Sequence, residues 1–115
     1  MTRKIVFHKE YFLDFYRTLD DKVKAKIQYV FELIKQVNKV PEKFLAPISG
    51  CDGLFEIRIE YQSNIYMVFC GFDEGRIVVL FNGFQKKTQK TPKEEIERAV
   101  RLKNEYFELK NDNHG

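Results

Sequence analysis

The sequence predicts an α+β domain: an N-terminal strand, an antiparallel helix pair, a three-stranded antiparallel meander completing a small sheet, and a C-terminal helix. Three observations carry this expectation. Apolar residues recur at helical spacing between Phe12 and Val37, three β-rich runs succeed one another between Leu54 and Phe84, and Thr91-Pro92-Lys93-Glu94 opens a last helical stripe. With 115 residues and 43% hydrophobic side chains, one core is expected, in a single domain over 1–110 followed by a flexible polar tail over 111–115. Phenylalanines and tyrosines supply enough apolar area that neither a disulfide nor a metal is needed to hold so short a chain together.

Lys4 to Phe7 is a short β-favouring run, read as an edge strand on a sheet completed later. Phe12, Phe15, Tyr16 and Leu19 then fall at i, i+3, i+4 and i+7, which predicts a short helix ending near Thr18. Asp20 and Asp21 offer an N-cap and an acidic first turn to a longer helix. Its stripe of Val23, Ile27, Val30, Phe31, Ile34 and Val37 lies opposite Lys22, Lys26 and Lys35. From Asn38 to Gly53, two prolines and two glycines without a sustained period read as a connecting loop.

The runs LFEIRIEY, NIYMVFCGF and RIVVLFNGF follow, separated by breaks at Gln62-Ser63 and at Asp73-Glu74-Gly75. In the first, alternation places Phe55, Ile57, Ile59 and Tyr61 on one face, and Arg58 on the other, away from a helix-covered core. Ile77 to Phe81 is apolar at every position, as in a central strand buried on both faces. Thr91-Pro92-Lys93-Glu94 reads as a capping box with proline at the first helical position, and Ile96, Ala99, Leu102, Tyr106 and Leu109 are the expected buried stripe.

Charged residues make up 32% of the chain and are interspersed with apolar ones, which argues against disorder; no apolar run approaches the roughly 20 residues of a membrane span. The N-terminus has charges within its apolar stretch and does not read as a signal peptide, so the expected location is the cytoplasm. Cys51 and Cys70 fit neither a disulfide framework nor a zinc motif, and no metal or other cofactor is expected. A net charge of +3 permits contact with nucleic acid without demanding it. Phosphate-binding loops, dinucleotide fingerprints, zinc-protease motifs and nucleophile elbows are absent.

His8 reads as a packing or surface residue, and His114 falls in the tail. The remaining candidates are cations: Arg58 on the open sheet face, and Lys86, Lys87 and Lys90 directly after the central strand. A short basic run is ordinarily a solvated surface. This one is anchored by a strand before it and a helix after it, so its side chains can converge with Arg58 over one concave surface suited to a polyanion.

Gly53-Leu54-Phe55-Glu56-Ile57-Arg58, then Ile65-Tyr66, then Val79 to Thr88, then Lys90-Thr91-Pro92 with Glu95-Ile96 and Ala99, resemble the phage-derived Gp49-like/HigB branch of the RelE/ParE toxin superfamily. The similarity is ordered and nearly full length, with Phe12, Phe15 and Leu19 matching the first-helix pattern and only the tail outside. Its most specific part is the G-F-x-K-K-T-x-K-T-P segment. The resemblance implies a RelE-like fold and the toxin of a type II toxin–antitoxin pair: an endoribonuclease that cleaves mRNA on the ribosome and arrests translation, without a metal.

In that reaction a ribose 2′-hydroxyl attacks the adjacent phosphate, giving a cyclic phosphate and a free 5′-hydroxyl. It needs a proton acceptor, a proton donor and cations for the charge growing on phosphorus. By the resemblance Arg58, Lys86 and Lys87 are the catalytic candidates, with Gln85, Thr88 and Lys90 as RNA contacts. Relatives read Tyr-Arg where this chain has Tyr66-Met67, and that arginine is generally assigned to the scissile phosphate; its loss predicts reduced activity. The implied partners are a cognate antitoxin, commonly a helix-turn-helix DNA-binding protein, together with the ribosome and mRNA. Two alternatives stand beside the nuclease: a noncatalytic toxin that inhibits DNA gyrase by binding, and a weakened member that only binds antitoxin. A mildly basic domain without toxin activity is the third reading.

Overall fold

Lys4-Ile5-Val6-Phe7 forms strand β1 (Lys4–Phe7) in the computed structural model, which describes residues 2–114. Two helices follow, α1 (Tyr11–Tyr16) and α2 (Asp21–Gln36). Asp20 stands at the N-cap of α2, where its carbonyl accepts the Lys24 N–H at 2.9 Å. Strands β2 (Leu45–Pro47), β3 (Phe55–Tyr61), β4 (Asn64–Asp73) and β5 (Ile77–Lys86) come next, and helix α3 (Lys93–His114) closes the chain.

The strands form one mixed sheet in the order β1-β5-β4-β3-β2. The expected antiparallel meander is its centre, β3-β4-β5. At one edge β1 pairs with β5 in parallel, Lys4 beside Ile77 and Phe7 beside Leu80. At the other edge lies a strand that the sequence reading assigned to a loop: β2 pairs antiparallel with β3, Leu45 opposite Ile57 and Pro47 opposite Phe55. Proline is tolerated there because an edge strand has one side without ladder bonds.

Side-chain alternation divides the core between the two faces of the sheet. On one face Ile57, Ile59, Val68, Cys70, Val78 and Leu80 pack with Phe12 of α1 and the α2 stripe of Val23, Ile27, Val30, Phe31 and Ile34. On the other, Met67, Phe69, Val79, Phe81 and Phe84 pack with Ala99 and Leu102 of α3. Arg58 therefore does not sit on an uncovered face, as a one-sided core would require. It shares its face with the α3-side core, and its side chain remains 35% exposed.

Two expectations about α3 change. Ile96 N–H reaches the Pro92 carbonyl at 3.3 Å, so Pro92 precedes the first helical residue instead of being it. Leu109 is 44% exposed. The line of α3 that meets the sheet runs through Leu102 and Tyr106 to Lys110, whose ammonium and the Tyr106 hydroxyl both bond Asp73, and Leu109 stands beside that line. The helix continues through 111–114, where polar composition placed the tail; Gly115 lies outside the described residues.

Candidate functional site

A β-bulge in β5 sets the geometry of the cationic end of the sheet. Val68 pairs with Gly83 and Cys70 with Leu80, so Phe69 of β4 faces two residues, Phe81 and Asn82. The extra residue reverses the alternation downstream. Val79 and Phe81 face α3 before the bulge, and Phe84 does so after it, which carries Lys86 to the same face. Asn82 Nδ2 donates to the Glu95 carbonyl at 3.2 Å and to Glu95 Oε1 at 3.1 Å, tying the bulge to the first turns of α3.

Two adjacent rows of cross-strand neighbours result: Arg58, Met67 and Phe84 in one, Glu60, Ile65 and Lys86 in the next. Beside them opens a basin of about 610 Å³ lined by Arg58, Ile65, Lys86, Lys87, Thr88 and Gln89. Arg58 is oriented by Glu60, whose Oε1 accepts from Arg58 Nε at 3.0 Å. The turn after β5 is shaped from within, since Thr88 Oγ1 donates to the Lys90 carbonyl at 2.8 Å. Arg58 and Lys86 are presented from strands β3 and β5, and Lys87 opens the turn that follows β5.

Of the candidates read from sequence, Arg58, Lys86, Lys87 and Thr88 meet around this basin. Gln85 and Lys90 are not in its lining. Gln85 pairs with Tyr66, whose side chain belongs to the α2-side core, and its Nε2 donates to Asn64 Oδ1 at 3.3 Å. Lys90 contributes its carbonyl to Thr88 and leaves its side chain exposed. Met67 is 1% exposed and lies beside Arg58 on β4, packed with the aromatic residues of the α3 side. Arg76 stands in the β4–β5 turn beside a separate cavity with Lys4, Glu74 and Ile77, roughly 30 Å along β5 from the basin. It is not placed to replace the arginine missing at 67.

Sequence reasoning passed over Glu56 and Gln89. Burial pushes the Glu56 carboxyl above the usual carboxylate range, while Lys86 and Arg58 pull the other way. A carboxyl biased toward its neutral form thus stands within the field of two basin cations. The signal was available: Glu56 and Arg58 are two apart on one strand and share a face. Gln89 has no such signal, because the turn that brings it to the basin has no period.

His8 is packed, as expected, but it is also tied. It is 4% exposed, and its Nε2 lies 2.6 Å from Glu105 Oε1, which Lys9 Nζ approaches at 3.0 Å. Those two partners, Lys9 first, hold the Glu105 carboxyl below its usual range. Cys51 and Cys70 are free thiols, and burial pushes the Cys70 thiol up, which keeps it unreactive.

Fold and basin together define a small α+β protein with an open, cationic recess suited to a polyanion. The chain belongs to the phage-derived Gp49-like protein family (DUF891), whose pattern matches residues 14–104; this is a RelE/HigB-type toxin family. Membership marks it as the toxin of a toxin–antitoxin pair and implies a cognate antitoxin. No curated protein matches the sequence. Among the described residues, no helix is long and apolar enough to cross a membrane.

Proposed function

We propose that this toxin is an endoribonuclease that cleaves ribosome-bound mRNA in the cytoplasm and so arrests translation, using side chains alone. The observation that carries the reading is the meeting of Arg58, Lys86 and Lys87 around one open basin. In the proposed reaction the substrate's 2′-oxygen forms a bond to the adjacent phosphorus as the bond to the 5′-oxygen breaks. The 2′ proton leaves to a base and another proton reaches the 5′-oxygen. Negative charge grows on the two non-bridging oxygens, and cations already in position stabilise it without reorganising. Arg58 is suited to grip two phosphate oxygens through its planar fork, and the lysines act as mobile point charges and proton carriers. Thr88 and Gln89 supply hydrogen bonds around the sugar.

The test is a Lys86→Ala/Lys87→Ala variant. Expression of the parent chain is expected to arrest growth and cut ribosome-bound message. The variant is expected to fold, to relieve arrest and to lose cleavage by about 10²- to 10³-fold. Arrest that persists with intact message and impaired DNA supercoiling would replace the nuclease reading with the gyrase-binding one.

A further inference from the structure

Arg58 lines a second cavity as well. Next to the basin, a recess of about 190 Å³ is bounded by Lys26, Lys43, Phe44, Arg58 and Glu60. The backbone explains the arrangement. Strand β2 begins at Leu45, opposite Ile57, and just before it the Phe44 carbonyl accepts the Arg58 N–H at 2.9 Å. Lys43 and Phe44 are thereby held alongside Arg58, while α2 brings Lys26 from the other face of the sheet around the edge of β3. Lys87 and Lys86 line one hollow and Lys43 and Lys26 the other, with Arg58 common to both and Glu60 paired to it.

Aromatic rings accompany the lysines of the second hollow. Lys43 Nζ lies 5.0 Å from the ring centre of Phe44, and Lys26 Nζ lies 5.1 Å from that of Tyr29, which is 57% exposed. Ammonium groups beside an exposed ring, Tyr29, and a half-buried one, Phe44, are the chemistry of a single-stranded nucleic-acid groove: the cations follow the phosphates and the rings contact the bases. An acidic peptide would find the same charges, but each hollow has only one apolar side chain in its lining, Ile65 in one and Phe44 in the other. That is little for the buried apolar anchors on which peptide recognition depends.

We propose that a single RNA strand crosses Arg58, with the reacting phosphate in the larger basin and the neighbouring nucleotides in the Lys26–Lys43 recess. This deepens the nuclease reading and rests on it. Glu60 acts as a competitor on the path, because it occupies Arg58 Nε and a phosphate entering the recess must share or displace it.

The experiment measures binding of fully 2′-O-methylated RNA, which offers no attacking hydroxyl, as a trinucleotide and as a nonanucleotide at several salt concentrations. For Lys26→Ala/Lys43→Ala, nonanucleotide affinity is expected to fall about tenfold or more, well beyond any loss for the trinucleotide. The salt slope should flatten by roughly 1.4, about 0.7 for each lost cation on a single strand. Glu60→Gln is expected to tighten the nonanucleotide, while Lys86→Ala/Lys87→Ala weakens both probes. If Lys26→Ala/Lys43→Ala changes neither probe while Lys86→Ala/Lys87→Ala weakens both, the outer recess is refuted and the nuclease site stands. If the Lys86→Ala/Lys87→Ala pair affects neither probe, the nuclease reading fails and takes this inference with it. A polyglutamate peptide whose binding, unlike that of RNA, depends on Lys26 and Lys43 would overturn the proposal in favour of a protein partner.

Discussion

Gly83 lies against the ring of Phe15: a Cβ built on Gly83 would stand 2.5 Å from Phe15 Cδ2 and 2.8 Å from Cε2. Helix α1 thus rests directly on the backbone of β5, one residue past the bulge. Gly83→Ala is expected to cost about 1–3 kcal/mol in urea denaturation, the usual penalty for overpacking. Adding Phe15→Ala should recover part of that loss, because the two positions share one space. Strict additivity would mean the ring is not what excludes the methyl group.

Met67 offers a second test, since it is buried directly beside Arg58. Met67→Leu conserves volume and is expected to cost less than about 1.5 kcal/mol. Met67→Arg should destabilise by roughly 1–3 kcal/mol as its stem stays beside Arg58 and its guanidinium reaches toward the basin. Message cleavage should then rise at least tenfold. A folded Met67→Arg protein with no gain would show that residue 67 does not serve the reacting phosphate.

Tyr106 gives a pH signature. Burial, reinforced by its 2.7 Å hydrogen bond to Asp73, raises the hydroxyl to about 12. Below an ordinary tyrosine value of about 10, both folded and unfolded chains keep the proton and the stabilisation is fully present. Between about 10 and 12 the unfolded chain ionises first, so stability falls as pH rises. Denaturant midpoints measured across that range should decline, and Tyr106→Phe should flatten the decline.

The β3–β4 turn is strained in an identifiable way. Gln62 and Ser63 have φ of 48° and 68°, the pattern of a two-residue hairpin turn that favours Asn-Gly. Ser63→Gly is expected to stabilise by about 0.5–1 kcal/mol, read as a higher denaturant midpoint with an unchanged slope. A loss of stability would show that the serine side chain contributes more than its backbone strain costs.

The elements legible in the sequence were those whose burial leaves a local rhythm. The α2 stripe has helical spacing, and Ile77 to Phe81 is apolar throughout because β5 is covered on both faces. Strand β2 has no such rhythm: Leu45-Ala46-Pro47 becomes a strand only because β3 offers it an edge. The bulge was equally silent, although Gly83 within a strand was a hint. Its consequence reached the site, since the reversed alternation puts Lys86, and not Gln85, on the face of Arg58. Convergence of Arg58 with the lysine pair was expected from their flanking elements, whereas Lys26 and Lys43 belong to segments that only the folded chain brings to Arg58.

The parallel β1–β5 pairing has a consequence for how the molecule comes into being. Strand β1 is synthesised well before β5, its partner, so that edge of the sheet cannot seat during translation until β5 has left the ribosome. The basin waits at least as long, because its Lys86, Lys87, Thr88 and Gln89 follow the Ile77–Leu80 stretch with which β1 pairs. Biogenesis therefore makes the cationic surface a late acquisition, completed only after the stretch that seats β1 has emerged.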